Sequence, residues 1–157
     1  MATRGDVLAR LAQTRDELTV LVESAPEEAW QKATYEGWTC HDLLAHIAST
    51  SGPAGFILMM AKSGPPSGGG GPPFDQDAFN KQQVAMRAER SATDILNEIR
   101  SNIQRDIQAV EGASDELLQQ HFRAQWGTEG TVAEVIIASH NFHLGMHIAD
   151  LRAGLAG

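Results

Sequence analysis

Apolar residues recur at helical spacing through most of the chain, and nowhere do they alternate for long enough to predict a strand. Residues 5–24 place Val7, Leu8, Leu11, Leu18, Leu21 and Val22 between charged Arg and Asp, the pattern of an amphipathic surface helix. Pro26 opens a short helical turn in P-E-E-A-W, where its missing N–H is no loss. Thr39 followed by Asp42 forms a capping box with Asp in the usual Glu place, which predicts a helix from about Cys40. The apolar run continues to about Lys62, with a bend expected where Gly52-Pro53 removes a backbone donor.

The stretch S-G-P-P-S-G-G-G-G-P-P then breaks all regular structure. Helical spacing resumes over residues 75–111, interrupted near Ser91, with Asp94 placed to cap a restart, and Gly112 ends that helix. A short turn is expected over residues 114–120, followed by an irregular stretch containing Trp126. Thr131 with Glu134 forms another capping box and opens a last helix through about Leu155. The pattern predicts an all-α chain of four main helices, forming one domain over residues 1–157.

A second helix of about 24 residues would be roughly 36 Å long. The twelve residues 63–74 reach about 40 Å when extended. They are long enough to carry the chain back and let the third helix run parallel to the second, in an up-down-down-up bundle. A mobile insertion or a lid over a cavity accounts for the same composition equally well. A phosphate-binding loop is excluded, because no Lys-Ser or Lys-Thr follows the glycines.

Composition narrows the partners. With 20 acidic and 12 basic residues in 157, the net charge of −8 argues against nucleic acid, and no face gathers Lys and Arg. Hydrophobic content of 42% with 20% charged residues belongs to a folded globule, not a disordered chain. One cysteine excludes an internal disulfide and fits a reducing compartment. The opening M-A-T-R-G-D has no apolar signal-peptide core, and the longest apolar run, residues 56–61, is too short to cross a bilayer. A soluble cytoplasmic protein with no membrane partner is expected.

The chemistry concentrates in histidines. Three of the six, His140, His143 and His147, fall within eight residues of the last helix, and His46 closes G-W-T-C-H-D-L-L-A-H. At 100° per residue the three late histidines span about a 60° arc, on the face that carries Val132, Val135, Ile136, Ser139, Met146 and Asp150. His140 and His147 lie about 10.5 Å apart along the axis, too far to share an ion bonded at about 2.1 Å to each nitrogen. His143 therefore belongs to whichever pair chelates, and the four-residue pair His143/His147 is the better one. His46 sits about 10 Å into the second helix, and the His143/His147 midpoint about 15 Å before the end of the fourth. Antiparallel packing of those helices would bring the two levels nearly together.

A core or capping role stands beside this metal site. Buried, hydrogen-bonded histidines are common, and histidines late in a helix also complement its dipole. Asp150, one turn beyond His147, is either an orienting partner for its free ring nitrogen or an ordinary solvated residue. His140 either lines the cavity as a proton donor or packs and hydrogen-bonds. Trp38 and Trp126 either roof the site or pack. Cys40, turned about 240° from His46, should face away from it and is read as incidental. His41 and His121 belong to no constellation and are expected at the surface.

At these residues the chain resembles the DinB/YfiT-like superfamily of four-helix-bundle proteins. G-W-T-C-H-D-L-L-A-H resembles that family's W-[ST]-x-x-[DE]-x-L-x-H segment on its second helix. H-L-G-M-H-I-A-D-L-R resembles its terminal H-x-x-x-H with an apolar-plus-Arg tail. The resemblance covers nearly the whole chain and implies an up-down-down-up bundle holding a divalent ion on His46, His143 and His147. The chain is also similar to the N-terminal domain of the mycothiol-dependent maleylpyruvate isomerases, whose middle ligand is typically Glu where this sequence has His143. The resemblance is to that N-terminal domain and does not extend to their separate C-terminal domain.

Three neutral imidazoles would leave a coordination position open, as catalytic sites do, and zinc or nickel suits such ligands. No residue is marked as a separate general base, so the catalytic residues stay unassigned. The resemblance implies a metal-dependent enzyme transferring a low-molecular-weight thiol to a small electrophile, and a homodimer. Metal-dependent hydrolysis of a small molecule is one alternative; a non-catalytic ligand-binding or dimerising bundle is the other.

Overall fold

In a computed structural model, residues 1–34, 37–64 and 73–157 are described. They form helices α1 (Arg4–Ser24), α2 (Cys40–Ser49), α3 (Pro53–Ser63), α4 (Gln76–Ala85), α5 (Ala92–Gly112), α6 (Asp115–Gln119), α7 (Val132–Ala138) and α8 (Gly145–Ala156). A 3-10 turn spans Glu27–Gln31, and a π-helical turn, Ser139–Leu144, joins α7 to α8.

The expected caps form. Thr39 accepts from the Asp42 amide and Thr131 from the Glu134 amide, each in a reciprocal capping box. Ser91 caps α5, and Thr3 with Asp6 adds a box at α1 that the sequence reading did not single out. Two expectations change. The second helix does not bend at Gly52-Pro53 but breaks at residues 50–52 into α2 and α3. The buried Asp106 carboxylate of α5 then caps the new N-terminus, accepting from the Ala54 amide at 2.8 Å and the Gly55 amide at 2.9 Å. In addition, β1 (His121–Arg123) and β2 (Glu129–Thr131) pair antiparallel in a small hairpin where only irregular chain was expected.

Four rods result: α1; α2 with α3; α5; and α7 through α8. Named contacts fix their directions. Arg4 at the start of α1 bonds Asp115 and the carbonyls of Val110 and Ala113 at the end of α5, so those rods are antiparallel. His41 meets Arg90, Asn102 donates to the Ala48 carbonyl, and Asp106 meets Ala54, so the second and third rods run parallel. Along α1, Thr14 meets His140 and Glu17 meets Arg152, so the first and last rods are parallel. α2 packs on α8 and α3 on α7, which makes the second and last rods antiparallel. The bundle is therefore up-down-down-up.

The parallel rods require the chain to travel back between Ser63 and Ser91, a path that includes α4 against α2. Most of the Gly/Pro stretch, residues 65–72, lies outside the described residues, and with it the choice between crossover and lid. The core runs the length of the bundle, with Leu11 and Leu18 of α1, Leu44 of α2, Ile57 of α3, Ile99 of α5 and Ile136 of α7 fully buried. Each such side chain contributes about 1.5–3 kcal/mol. By length and composition the 24-residue stretch Cys40–Ser63, with an 18-residue window of mean hydropathy 1.4, could cross a membrane. Here it is the second rod, and 61% of that window is buried against its neighbours.

Candidate metal centre

On α1 the apolar positions Val7, Leu11, Leu18 and Val22 are buried, and Thr14 occupies the core slot between Leu11 and Leu18. A hydroxyl in that slot needs a partner. It donates to the Arg10 carbonyl at 3.2 Å and lies 3.0 Å from Nδ1 of His140, which is fully buried. Because the hydroxyl proton is spent on Arg10, the Nδ1–H of His140 donates to Thr14. His140 thus takes the hydrogen-bonded packing role, on the side of the last rod that faces α1. Burial, with the Arg10 charge nearby, pushes its pKa down to about 4.

The π turn explains the departure from the expected common face. In an α-helix three residues turn 300°, leaving His140 and His143 about 60° apart. Widening the turn to i→i+5 bonding lowers the rotation per residue and opens that angle. His140 then meets α1, whereas His143 turns toward α2.

There His46, His143 and His147 converge, with one ligand nitrogen from each lying within 4.8 Å of the others. His46 Nε2 and His147 Nε2 are 3.2 Å apart. Ring centroids of His46 and His147 stand at 4.7 Å, of His143 and His147 at 4.8 Å, and of His46 and His143 at 5.8 Å, all nearly perpendicular. His46 and His147 are buried at 4% and 2% exposure, while His143 reaches solvent. The Trp38 ring covers His46 at 5.1 Å.

Burial disfavours the imidazolium at each position, and neighbouring rings add to the effect at His46 and His147, which fall to about 4. Asp150 opposes the shift at His147 through its charge. His143 is lowered by burial alone. All three are neutral at pH 7, the form that donates a lone pair to an ion.

Two nitrogens at about 2.1 Å from one ion lie roughly 3.0–3.4 Å apart when adjacent in its shell. The His46–His147 pair already has that spacing. The separations involving His143 reach up to 4.8 Å, so His143 would swing inward by roughly 1.5 Å to join that shell. Its exposure leaves room for that rotation. Among the described residues the buried His46 Nδ1 has no hydrogen-bond partner, so Nε2, which meets His147, is the nitrogen His46 would offer to an ion. The residues therefore fit a divalent ion.

The remaining candidates separate from this cluster. Cys40 is buried, with its thiol pKa raised by burial, against Gly154 of α8. Trp126 is 54% exposed in the β1–β2 turn, which packs at the start of the last rod, not over His143 and His147 in its second half. His41 is not at the surface: half-buried, it bonds the Arg90 carbonyl at 2.6 Å and ties α2 to the cap of α5. His121 is exposed as expected and pairs with Glu129 across the hairpin at 2.9 Å. Thr14 and Arg10 were missed; the available signal was a polar residue at an apolar-spaced position of α1.

No curated protein matches the chain significantly by sequence. Among solved structures it is similar to the mycothiol-dependent maleylpyruvate isomerase (TM-score 0.70, 16% identity), covering 96% of this chain and 63% of that one. The chain thus spans less than two thirds of that enzyme. It is similar to YfiT from Bacillus subtilis, described as "a probable metal-dependent hydrolase with an unusual four-helix bundle topology" (TM-score 0.70, 15% identity, 96% of this chain and 85% of that one). A third neighbour is the colibactin self-resistance protein ClbS, whose structure is a complex with dsDNA (TM-score 0.68, 10% identity, 99% and 94% covered). At these identities the likeness carries the fold, which ClbS combines with nucleic acid. Residues 10–151 match the family model of the DinB superfamily, and by that match, on the bundle just described, the chain belongs to the DinB superfamily.

Proposed function

We propose that this chain is a metal-dependent enzyme that joins a low-molecular-weight thiol to a small electrophile, with His46, His143 and His147 holding zinc or nickel. The observation that carries the reading is the convergence of three neutral imidazoles from two antiparallel rods within 4.8 Å. When bound, the ion would supply Lewis acidity that lowers the pKa of a thiol or water at its open position. The chain's own residues set the conditions for this. Burial keeps His46 and His147 unprotonated, Trp38 shields one side of His46, and the exposed edge at His143 leaves access for a ligand. The thiol cosubstrate is suggested by the mycothiol-dependent neighbour. A single domain, a homodimer and a cytoplasmic location complete the proposal; sedimentation tests the dimer.

Metal content of purified wild type against His46→Ala and His147→Ala tests the site. About one ion per chain is expected in wild type and essentially none in the variants. Consumption of mycothiol, bacillithiol or glutathione with a generic electrophile, against a His143→Ala control, tests the transfer. Hydrolysis is the second reading, favoured by the YfiT neighbour, of which this chain covers the larger share. Turnover without added thiol would select it.

A further inference from the structure

The last rod divides its histidines between two partners, and the π turn at Ser139–Leu144 makes the division. His140 is held from α1 at two points. Its ring Nδ1 bonds Thr14 Oγ1 at 3.0 Å, and its carbonyl accepts from Arg10 Nη2 at 3.4 Å. That carbonyl also accepts from the Gly145 amide, the bond that closes the wide turn. His143 lies inside the same turn, between the clamped residue and α8, which carries His147. Locally, Gly145 leaves room for its amide to meet the His140 carbonyl, since a Cβ there would lie 3.3 Å from that oxygen. The groups that hold His140 from another helix are Thr14 and Arg10.

We infer that Thr14 and Arg10 are positioning residues, which clamp His140 to α1 and so hold the turn that directs His143 toward His46 and His147. This inference rests on the metal site proposed above. Without the clamp, the turn is released to relax to α-helical bonding, which brings His143 back toward the face of His140 and away from His46. Thr14 bonds His140, which is not among the proposed ligands, and acts through it.

Cobalt(II) affinity and absorption spectrum, together with hydrogen exchange at the Gly145 amide, test the clamp in Thr14→Val and Thr14→Ser. Valine keeps the shape and removes the hydroxyl, whereas serine keeps the hydroxyl. We expect at least a tenfold loss of cobalt affinity, an altered ligand-field spectrum and at least tenfold faster Gly145 exchange in Thr14→Val. Values within about threefold of wild type are expected in Thr14→Ser. Ile103→Val, a buried change on α5, should lower stability without moving any of these readouts. Unchanged cobalt affinity and Gly145 exchange in Thr14→Val would overturn the inference, as would equal losses in Ile103→Val. If wild type binds no cobalt, the metal reading falls, and Gly145 exchange alone then decides the clamp.

Discussion

His46 Nε2 and His147 Nε2 face each other at 3.2 Å although 101 residues separate them in sequence. With both rings neutral, one nitrogen must carry the proton that the other accepts. A divalent ion taking the place of that proton would use both lone pairs and needs little movement of either ring. Saturation with zinc or nickel at about 1,000 times Kd should raise stability by about 4 kcal/mol. That corresponds to roughly 10 °C in Tm. The shift should be absent in His147→Ala and should vanish on chelation; scanning calorimetry reads both.

The pH dependence of the metal-free protein follows from the same burial. His46, His140 and His147 are pushed to about 4 in the folded state, below the ordinary 6.5. Between those values the unfolded chain binds protons that the folded one excludes, so stability falls as pH drops. It is fully present above about 6.5 and is lost progressively toward 4. For His140 alone the loss is about 3 kcal/mol. Urea midpoints in the presence of a chelator should be level from pH 8 to 7 and decline steadily below 6.5.

Gly154 sets how closely α8 approaches the start of α2. A Cβ there would stand 2.7 Å from Thr34 Cγ2 and 2.8 Å from Cys40 Sγ, both inside contact distance. Gly154→Ala should cost about 1–3 kcal/mol and push α8 away from α2. Because His46 and His147 bridge these helices, metal affinity should fall as well. Isothermal titration of both proteins checks this.

The Cys40 thiol is fully buried, and burial raises its pKa. A thiol reagent at pH 7.5 should leave it untouched for hours in native protein and modify it within minutes in urea. Cys40→Ala should retain thiol consumption. Loss of turnover in that variant would place the nucleophile on the protein and displace the external thiol.

Asp106→Ala should lower stability by about 2–4 kcal/mol, because it leaves the Ala54 and Gly55 amides buried without their acceptor. Denaturant unfolding measures the loss. Cobalt affinity should be unchanged, since the break after Thr50 lies beyond His46.

Local sequence was enough for the caps at Thr39, Ser91 and Thr131, because a hydroxyl three residues before its partner amide acts within one turn. It was enough too for the amphipathic faces, and helical rise gave the axial levels of His46 and of the His143/His147 pair; that the levels meet followed only from the antiparallel packing of their rods. Three further things depended on packing. The second helix is interrupted at Gly52-Pro53, and the amides this frees find their acceptor in a carboxylate of α5 some 50 residues away. His140 parts from its neighbours because Thr14, a polar residue in the core of α1, draws it through a widened turn. His41 is held at an inner position by a carbonyl of the distant α5 cap. In each case the deciding group is remote in sequence, and a buried polar atom takes whatever partner the fold brings within about 3 Å.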